Sequence, residues 1–142
     1  MRPLLILSLL ASCLIGCAQW EINAKRTIGV VAVAYNASHD AWAATDAEKM
    51  RVIVANAATK ETALQQLAAW QTGPQAAVKR ADATVGAALT TAYRMILLYD
   101  LKQASKLDTM KAIQQLVSQA EELLAVLNTY GVKLNLSLPG GL

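Results

Sequence analysis

Apolar residues recur every three or four positions along most of this chain, a spacing that places them on one face of an α-helix. The fourth such segment is the clearest, with apolar positions at Met110, Ile113, Leu116, Ala120, Leu123, Leu127 and Tyr130. Similar stripes run through residues 22–44, 46–71 and 74–104. The pattern predicts four amphipathic helices and an all-α protein.

Turn and capping signals mark the predicted helix ends. Thr45-Asp46-Ala47-Glu48 matches a capping box, in which the first and last side chains bond each other's backbone amides. Gly73 and Pro74 suit a helix end followed by a new helix start, and Ser105 or Asp108 can cap the fourth helix. Because the connections are short, we expect an up-down-up-down antiparallel four-helix bundle.

The residues after Gly131 show a different period. Val132, Leu134, Leu136 and Leu138 alternate with polar residues, which is typical of a half-buried extended segment. The prediction is a short extended C-terminal tail packed on the bundle.

The start of the chain has its own pattern. Arg2 precedes an apolar run from Leu4 to Ile15, which is shorter than the roughly 20 residues that a membrane-spanning helix needs. A cation, a short apolar centre and small residues are typical of a secretory signal. The run ends in Leu14-Ile15-Gly16-Cys17, which resembles the lipobox of bacterial lipoproteins, although cleavage at another site remains an alternative.

This resemblance covers the signal region only, and it implies a location. Residues 1–16 would be removed, Cys17 would carry the acyl chains (such as palmitate), and residues 17–142 would form one domain tethered to a membrane of the bacterial cell envelope. Two or more acyl chains anchor a protein stably. Ala18 stands where inner-membrane lipoproteins often carry Asp, so the periplasmic face of the outer membrane is favoured if the host is Gram-negative.

Composition and charge limit the partners. Hydrophobic residues make up 55% of the chain and charged residues 16%, and the formal net charge is +3 with a pI near 9.0. The basic residues are scattered rather than gathered into the stripe that nucleic-acid binding needs. We therefore expect no nucleic-acid partner, and a membrane and an envelope protein as partners, with self-association left open.

The residue types needed for catalysis are sparse. His39 is the single histidine and has Asp40 beside it, but no nucleophile pattern accompanies the pair. The two cysteines are Cys13, in the predicted signal, and Cys17, so the mature chain keeps no thiol for a disulfide or a thiolate metal site. The sequence also lacks the Glu-x-x-His pairs of di-metal bundles. We expect neither an enzyme nor a metal or other cofactor.

The predicted bundle would sort the aromatic residues between its ends. Trp20, Trp70 and Tyr130 would lie at the membrane end, where amphipathic aromatics are enriched. The alternative is that Trp70 and Tyr130 simply fill the end of the bundle. The far end would collect the residues of a candidate partner surface, which are His39, Asp40, Trp42, Glu48, Tyr99 and Lys102.

Three functions fit these patterns. The first is an accessory or scaffold role in an envelope assembly, through protein–protein contacts. The second is binding of a lipid or small apolar ligand inside the bundle, helped by the C-terminal tail. The third is a prophage-type lipoprotein that modifies the host surface, for instance by excluding other phage.

Replacement of Cys17 by Ser tests the predicted tether. The hydroxyl cannot take the thioether-linked lipid, so the protein should be either unprocessed or soluble and exported, and in both cases it should lack the mass of the acyl chains. Fractionation and intact-mass spectrometry measure this. A Cys13→Ser variant is the control and should stay membrane-bound, and an unchanged distribution of Cys17→Ser would refute the tether.

Overall fold

The computed structural model describes the backbone of residues 2–134 and the side chains of residues 19–134, and this part of the chain is all-α. Its helices are α1 (Arg2–Asn56), α2 (Lys60–Trp70), α3 (Ala76–Asp100) and α4 (Lys106–Thr129). A π-helical turn over Gln71–Gln75 joins α2 to α3 without a gap. The side chains of the predicted signal peptide and of Cys17, together with residues 135–142, lie outside the described part.

The predicted break at residues 44–46 is wrong, because α1 continues to Asn56. Thr45 does not cap a helix; its hydroxyl donates to the carbonyl of Ala41 at 2.9 Å, as threonine commonly does inside helices. The Glu48 carboxylate accepts hydrogen bonds from the Arg51 guanidinium instead of from the Thr45 amide. The alanine-rich sequence favours continued helix.

The chain reverses later, at residues 57–59. Thr59 is the N-cap of α2, and its hydroxyl accepts a hydrogen bond from the Thr62 amide at 3.1 Å. Sequence reasoning missed this connection because it contains neither Gly nor Pro.

The predicted end of a helix at Thr72–Pro74 is also wrong. The backbone stays right-handed helical on both sides of the π-turn, with φ and ψ of −63° and −44° at Trp70 and −66° and −34° at Ala76. A proline removes one backbone donor and clashes with the preceding turn of an α-helix. The wider π-turn accommodates Pro74, so residues 60–100 form one continuous helix and the described chain contains three long helices rather than four.

The fourth predicted helix is confirmed in position and in its buried face. Ser105 caps it by accepting from the Asp108 amide at 3.1 Å, and the Ser105 hydroxyl donates to the Asp108 carboxylate at 2.6 Å. Gly131 follows its end with a φ of +89°, which favours glycine. Beyond it Val132 is buried, Lys133 is exposed and Leu134 is half-buried; the rest of the predicted tail lies outside the described residues.

The core joins one face each of α1, α3 and α4. Its largest fully buried apolar side chains are Ile28 and Val31 from α1, Val85 from α3, and Ile113, Leu116 and Leu127 from α4. Alanines at several of the remaining core positions, such as Ala24, Ala92 and Ala120, bring no bulk of their own and allow the helices close approach.

The last ten residues of α1 and the whole of α2 extend beyond this core. We call residues 47–70 the arm; α1 and α2 contact each other there, but none of its residues is buried. Its half-buried side chains include the large apolar residues Met50, Ile53, Leu67 and Trp70. In the part of the chain that the structure describes, the arm is thus a pair of helices that contact each other and leave their shared surface at most half-buried.

Truncation of Leu116 to Ala tests the α4 seam. Leu116 is fully buried, so we expect a loss of about 2–5 kcal/mol in the free energy of unfolding, from lost burial and from the cavity left behind. Chemical denaturation followed by circular dichroism measures it. Gln115→Ala, at the neighbouring exposed position, is the control and should change stability little.

Candidate functional site

A cleft of about 280 Å³ opens where the arm leaves the core. Its wall is apolar and its rim is polar, a combination common in ligand sites. The residues that line it are Ser38, His39, Trp42, Asp46, Gln75, Val78, Lys79, Asp82, Leu123 and Leu127.

Asp46 organises one side of the cleft. Its carboxylate accepts hydrogen bonds from the Trp70 indole nitrogen at 2.7 Å and from the Gln75 amide nitrogen at 2.7 and 2.8 Å. Trp70 and Gln75 lie five positions apart. In an α-helix residues three or four apart share a face, whereas the i to i+5 repeat of a π-turn brings residues five apart onto one side. The π-turn therefore allows both donors to reach one carboxylate.

Three aromatic rings pack against one another beside Asp46. The Trp42 and Trp70 rings stack with centroids 5.9 Å apart, and Tyr130, just past the end of α4, lies 6.2 Å from each of them. Such offset and edge-to-face contacts stabilise aromatic groups beyond the area they bury. We call Trp42, Trp70 and Tyr130 the Trp42 end of the molecule.

The opposite rim of the cleft carries His39 and Asp82. His39 is exposed on α1, and its Nδ1 lies 3.6 Å from an Asp82 carboxylate oxygen on α3. Burial, and then the negative charge of Asp82, raises the pKa of the Tyr35 phenol above its ordinary value. His39 and Asp82 are at ion-pair distance. Ser38 also lines the cleft, but its hydroxyl donates to the backbone carbonyl of Tyr35 at 2.7 Å.

The candidate partner surface predicted from the sequence does not form one group. His39 and Trp42 lie at the cleft, and Asp40 is exposed on α1 close by. Glu48 lies on the arm, where hydrogen bonds from Arg51 at 2.8 Å lower the pKa of its carboxyl.

Tyr99 and Lys102 are at the other end of the molecule. The Tyr99 ring lies 4.9 Å from the Trp20 ring, edge to face, and the Lys102 ammonium is 5.6 Å from the Tyr99 ring centroid. Lys106 covers the Trp20 ring at 5.2 Å. We call Trp20, Tyr99, Lys102 and Lys106 the Trp20 end.

The predicted gathering of Trp20, Trp70 and Tyr130 at one end is therefore wrong. It assumed a chain reversal at residues 44–46, and the continuous α1 puts that reversal a further ten or more residues away. Trp20 and Trp42 consequently mark opposite ends of the packed helices, and Trp70 and Tyr130 lie with Trp42.

Sequence reasoning also missed Gln75, Lys79 and Asp82 as cleft residues. The available signal was Pro74 within an otherwise unbroken helical pattern, since a proline there calls for an irregular turn. Such turns occur frequently at functional sites.

Among the described residues, no group of three or more His, Cys, Asp or Glu side chains could hold a metal ion. Over the same part of the chain, none of the helices has the length and apolarity to cross a membrane.

Comparison with protein-family models, with curated proteins and with solved structures finds no significant match.

Removal of the Asp46 carboxylate tests its role. Asp46→Ala leaves the Trp70 and Gln75 donors without their acceptor, so we expect a loss of about 1–3 kcal/mol in unfolding free energy. Chemical denaturation followed by tryptophan fluorescence measures it. His39→Ala, at the same cleft but 63% exposed, is the control and should change stability by less than about 0.5 kcal/mol; equal effects of the two variants would contradict this assignment.

Proposed function

We propose that this protein is a non-enzymatic lipoprotein of the bacterial cell envelope, anchored through Cys17, that acts through protein–protein contacts made by the arm. The single observation that carries the proposal is the course of α1, which runs unbroken from Cys17 to Asn56. At 1.5 Å per residue this stretch is about 58 Å long. An anchored α1 would hold the arm well away from the membrane surface.

The finer architecture proposed is an antiparallel bundle of three long helices, up-down-up. Pairs across α1 and α3 support it, since Trp20 contacts Tyr99 while His39 lies by Asp82. Later positions on α1 therefore lie beside earlier positions on α3. Trp20 contacts Lys106 and Trp42 contacts Tyr130, which supports α1 and α4 running in the same direction.

The surface of the arm supports a contact role. Val54 is 58% exposed and Leu64 is 57% exposed, and none of the arm's residues is buried. Helices in proteins gain most of their stability by packing an amphipathic face, and the arm leaves much of that face open. A partner helix laid over it would bury these side chains.

The charges on the arm also suit a protein partner. Glu48, Lys49, Arg51, Lys60 and Glu61 supply both signs around the apolar positions. A mixed polar rim around an apolar centre is the usual composition of protein interfaces. The proposed location is the envelope, at the periplasmic face of the outer membrane if the host is Gram-negative.

The cleft supports a second candidate function, the binding of a small apolar ligand. Val78, Leu123 and Leu127 give it an apolar wall, and Trp42 gives it an aromatic face. Its volume of about 280 Å³ lies near the lower limit for small-molecule sites. This favours a compact ligand over a lipid chain within the bundle.

Site-specific photocrosslinking in cells tests the arm as the contact surface. A photoreactive residue at position 64 should crosslink to one protein of the envelope, because Leu64 is exposed on the proposed interface. Val54→Lys in the same chain should remove that crosslink by placing a charge in an apolar contact.

The matched control is a photoreactive residue at position 33. Val33 is 69% exposed on α1 but lies outside the arm, so we expect no crosslink there to the same protein. If the crosslinked protein is a second copy of this chain, the arm mediates self-association. Equal crosslinking from positions 33 and 64, or none from either, would refute the arm as the contact surface.

A further inference from the structure

We propose that the loop between α3 and α4, with the ends of the two helices beside it, is a second membrane contact that docks on anionic lipid headgroups. We call residues 97–107 the α3–α4 corner. This inference rests on the proposed anchor at Cys17. It concerns the face of the molecule opposite the arm, so it is independent of the protein partner.

The α3–α4 corner lies close to the proposed anchor. Trp20 lies three residues after Cys17 on α1, which is about 4.5 Å along the helix axis. The Tyr99 ring is 4.9 Å from the Trp20 ring, and the Lys106 ammonium is 5.2 Å from it. The corner therefore lies at nearly the level of Cys17. If the acyl chains of that residue enter the bilayer, the corner meets the headgroup layer.

The corner also exposes apolar surface. Three leucines of the corner protrude from the fold, with Leu97 60%, Leu101 64% and Leu107 60% exposed. Leu97 and Leu101 are one helical turn apart, so they occupy one face. Apolar side chains at a membrane interface gain free energy by leaving water, which explains their exposure here.

The corner carries positive charge as well. Asp100 pairs with Lys25 at 3.0 Å, and Asp108 is held by the Ser105 cap. Within the described part of the chain, Lys102 and Lys106 make no ion pair with a carboxylate and instead lie over aromatic rings. Their positive charges suit the negative surface of an anionic membrane.

The backbone at Lys102 gives an independent observation. Its φ is +60°, a left-handed conformation that normally belongs to glycine after a helix end. The amides of Lys102 and Gln103 bond back to the carbonyls of Tyr99 and Leu98, at 2.9 and 2.7 Å, and fix this conformation. A lysine at a position that favours glycine points to a role for its side chain.

The test uses the full chain, purified with its lipid and reconstituted into vesicles of phosphatidylethanolamine with about one-third phosphatidylglycerol. Leu101→Cys introduces a thiol for an environment-sensitive fluorophore, since Cys13 leaves with the signal and Cys17 is acylated. We expect a blue-shifted emission that lipids carrying a quencher near the headgroup extinguish. Val33→Cys and Val54→Cys, of similar exposure, are controls and should show neither effect.

The lysines are tested in the same Leu101→Cys chain. Lys102→Gln with Lys106→Gln should reduce the blue shift in the anionic vesicles and abolish its dependence on phosphatidylglycerol. Lys102→Gly should also weaken it, yet raise the melting temperature, because glycine relieves the left-handed backbone. A purely structural role for Lys102 would not produce these opposite changes.

Each outcome decides the proposal. If the chain without an added cysteine takes up the fluorophore, Cys17 is not acylated, and both the anchor and this inference fail. If that chain stays unlabelled and has the acylated mass, the anchor stands. If the label at position 101 then shows neither the blue shift nor the quenching, like the label at position 33, the membrane contact is overturned. The corner would then be a candidate contact for a protein partner.

Discussion

The backbone of α1 stays helical through Thr45 and Asp46, and this continuity decides which residues share each end of the molecule. A break there would have folded the second half of α1 back beside the first. The unbroken helix instead carries Asp46 to the edge of the core and continues as one half of the arm. The positions of the cleft, the arm and the α3–α4 corner all depend on it.

Asp46 then ties the arm to the core. Its carboxylate holds Trp70, the last residue of α2, and Gln75, the last residue of the π-turn, so the two helices of the arm are joined at their base. The stacked rings of Trp42 and Trp70 add an apolar contact at the same level. The arm therefore has a fixed base, although none of its own residues is buried.

The sequence predicted the helical class and the buried face of α4 well, because burial imposes a regular period that can be read directly. Ile113, Leu116 and Leu127 are buried as their spacing indicates, whereas the stripe over residues 46–71 has no buried residue. The helix start at Ser105 was predicted correctly, but the breaks at residues 44–46 and 72–74 were not, because local capping signals compete with other contacts. Thr45 satisfies its hydroxyl within the helix, and Pro74 is accommodated by a π-turn rather than ending the helix.

The candidate site was harder to predict than the fold, because it depends on contacts between residues far apart in sequence. Asp46 and Gln75 are 29 positions apart in the sequence, and the rings of Trp20 on α1 and Tyr99 on α3 meet across the fold at 4.9 Å. The chain reversal lies near residue 58 instead of the predicted residue 45, and this shift changes which end of the molecule these residues occupy. The lysines beside Trp20 therefore lie at the end of the molecule where the lipid anchor is proposed, and the cleft and the arm lie toward the other end. That separation makes the proposed membrane contact and the proposed partner contact compatible in one small chain.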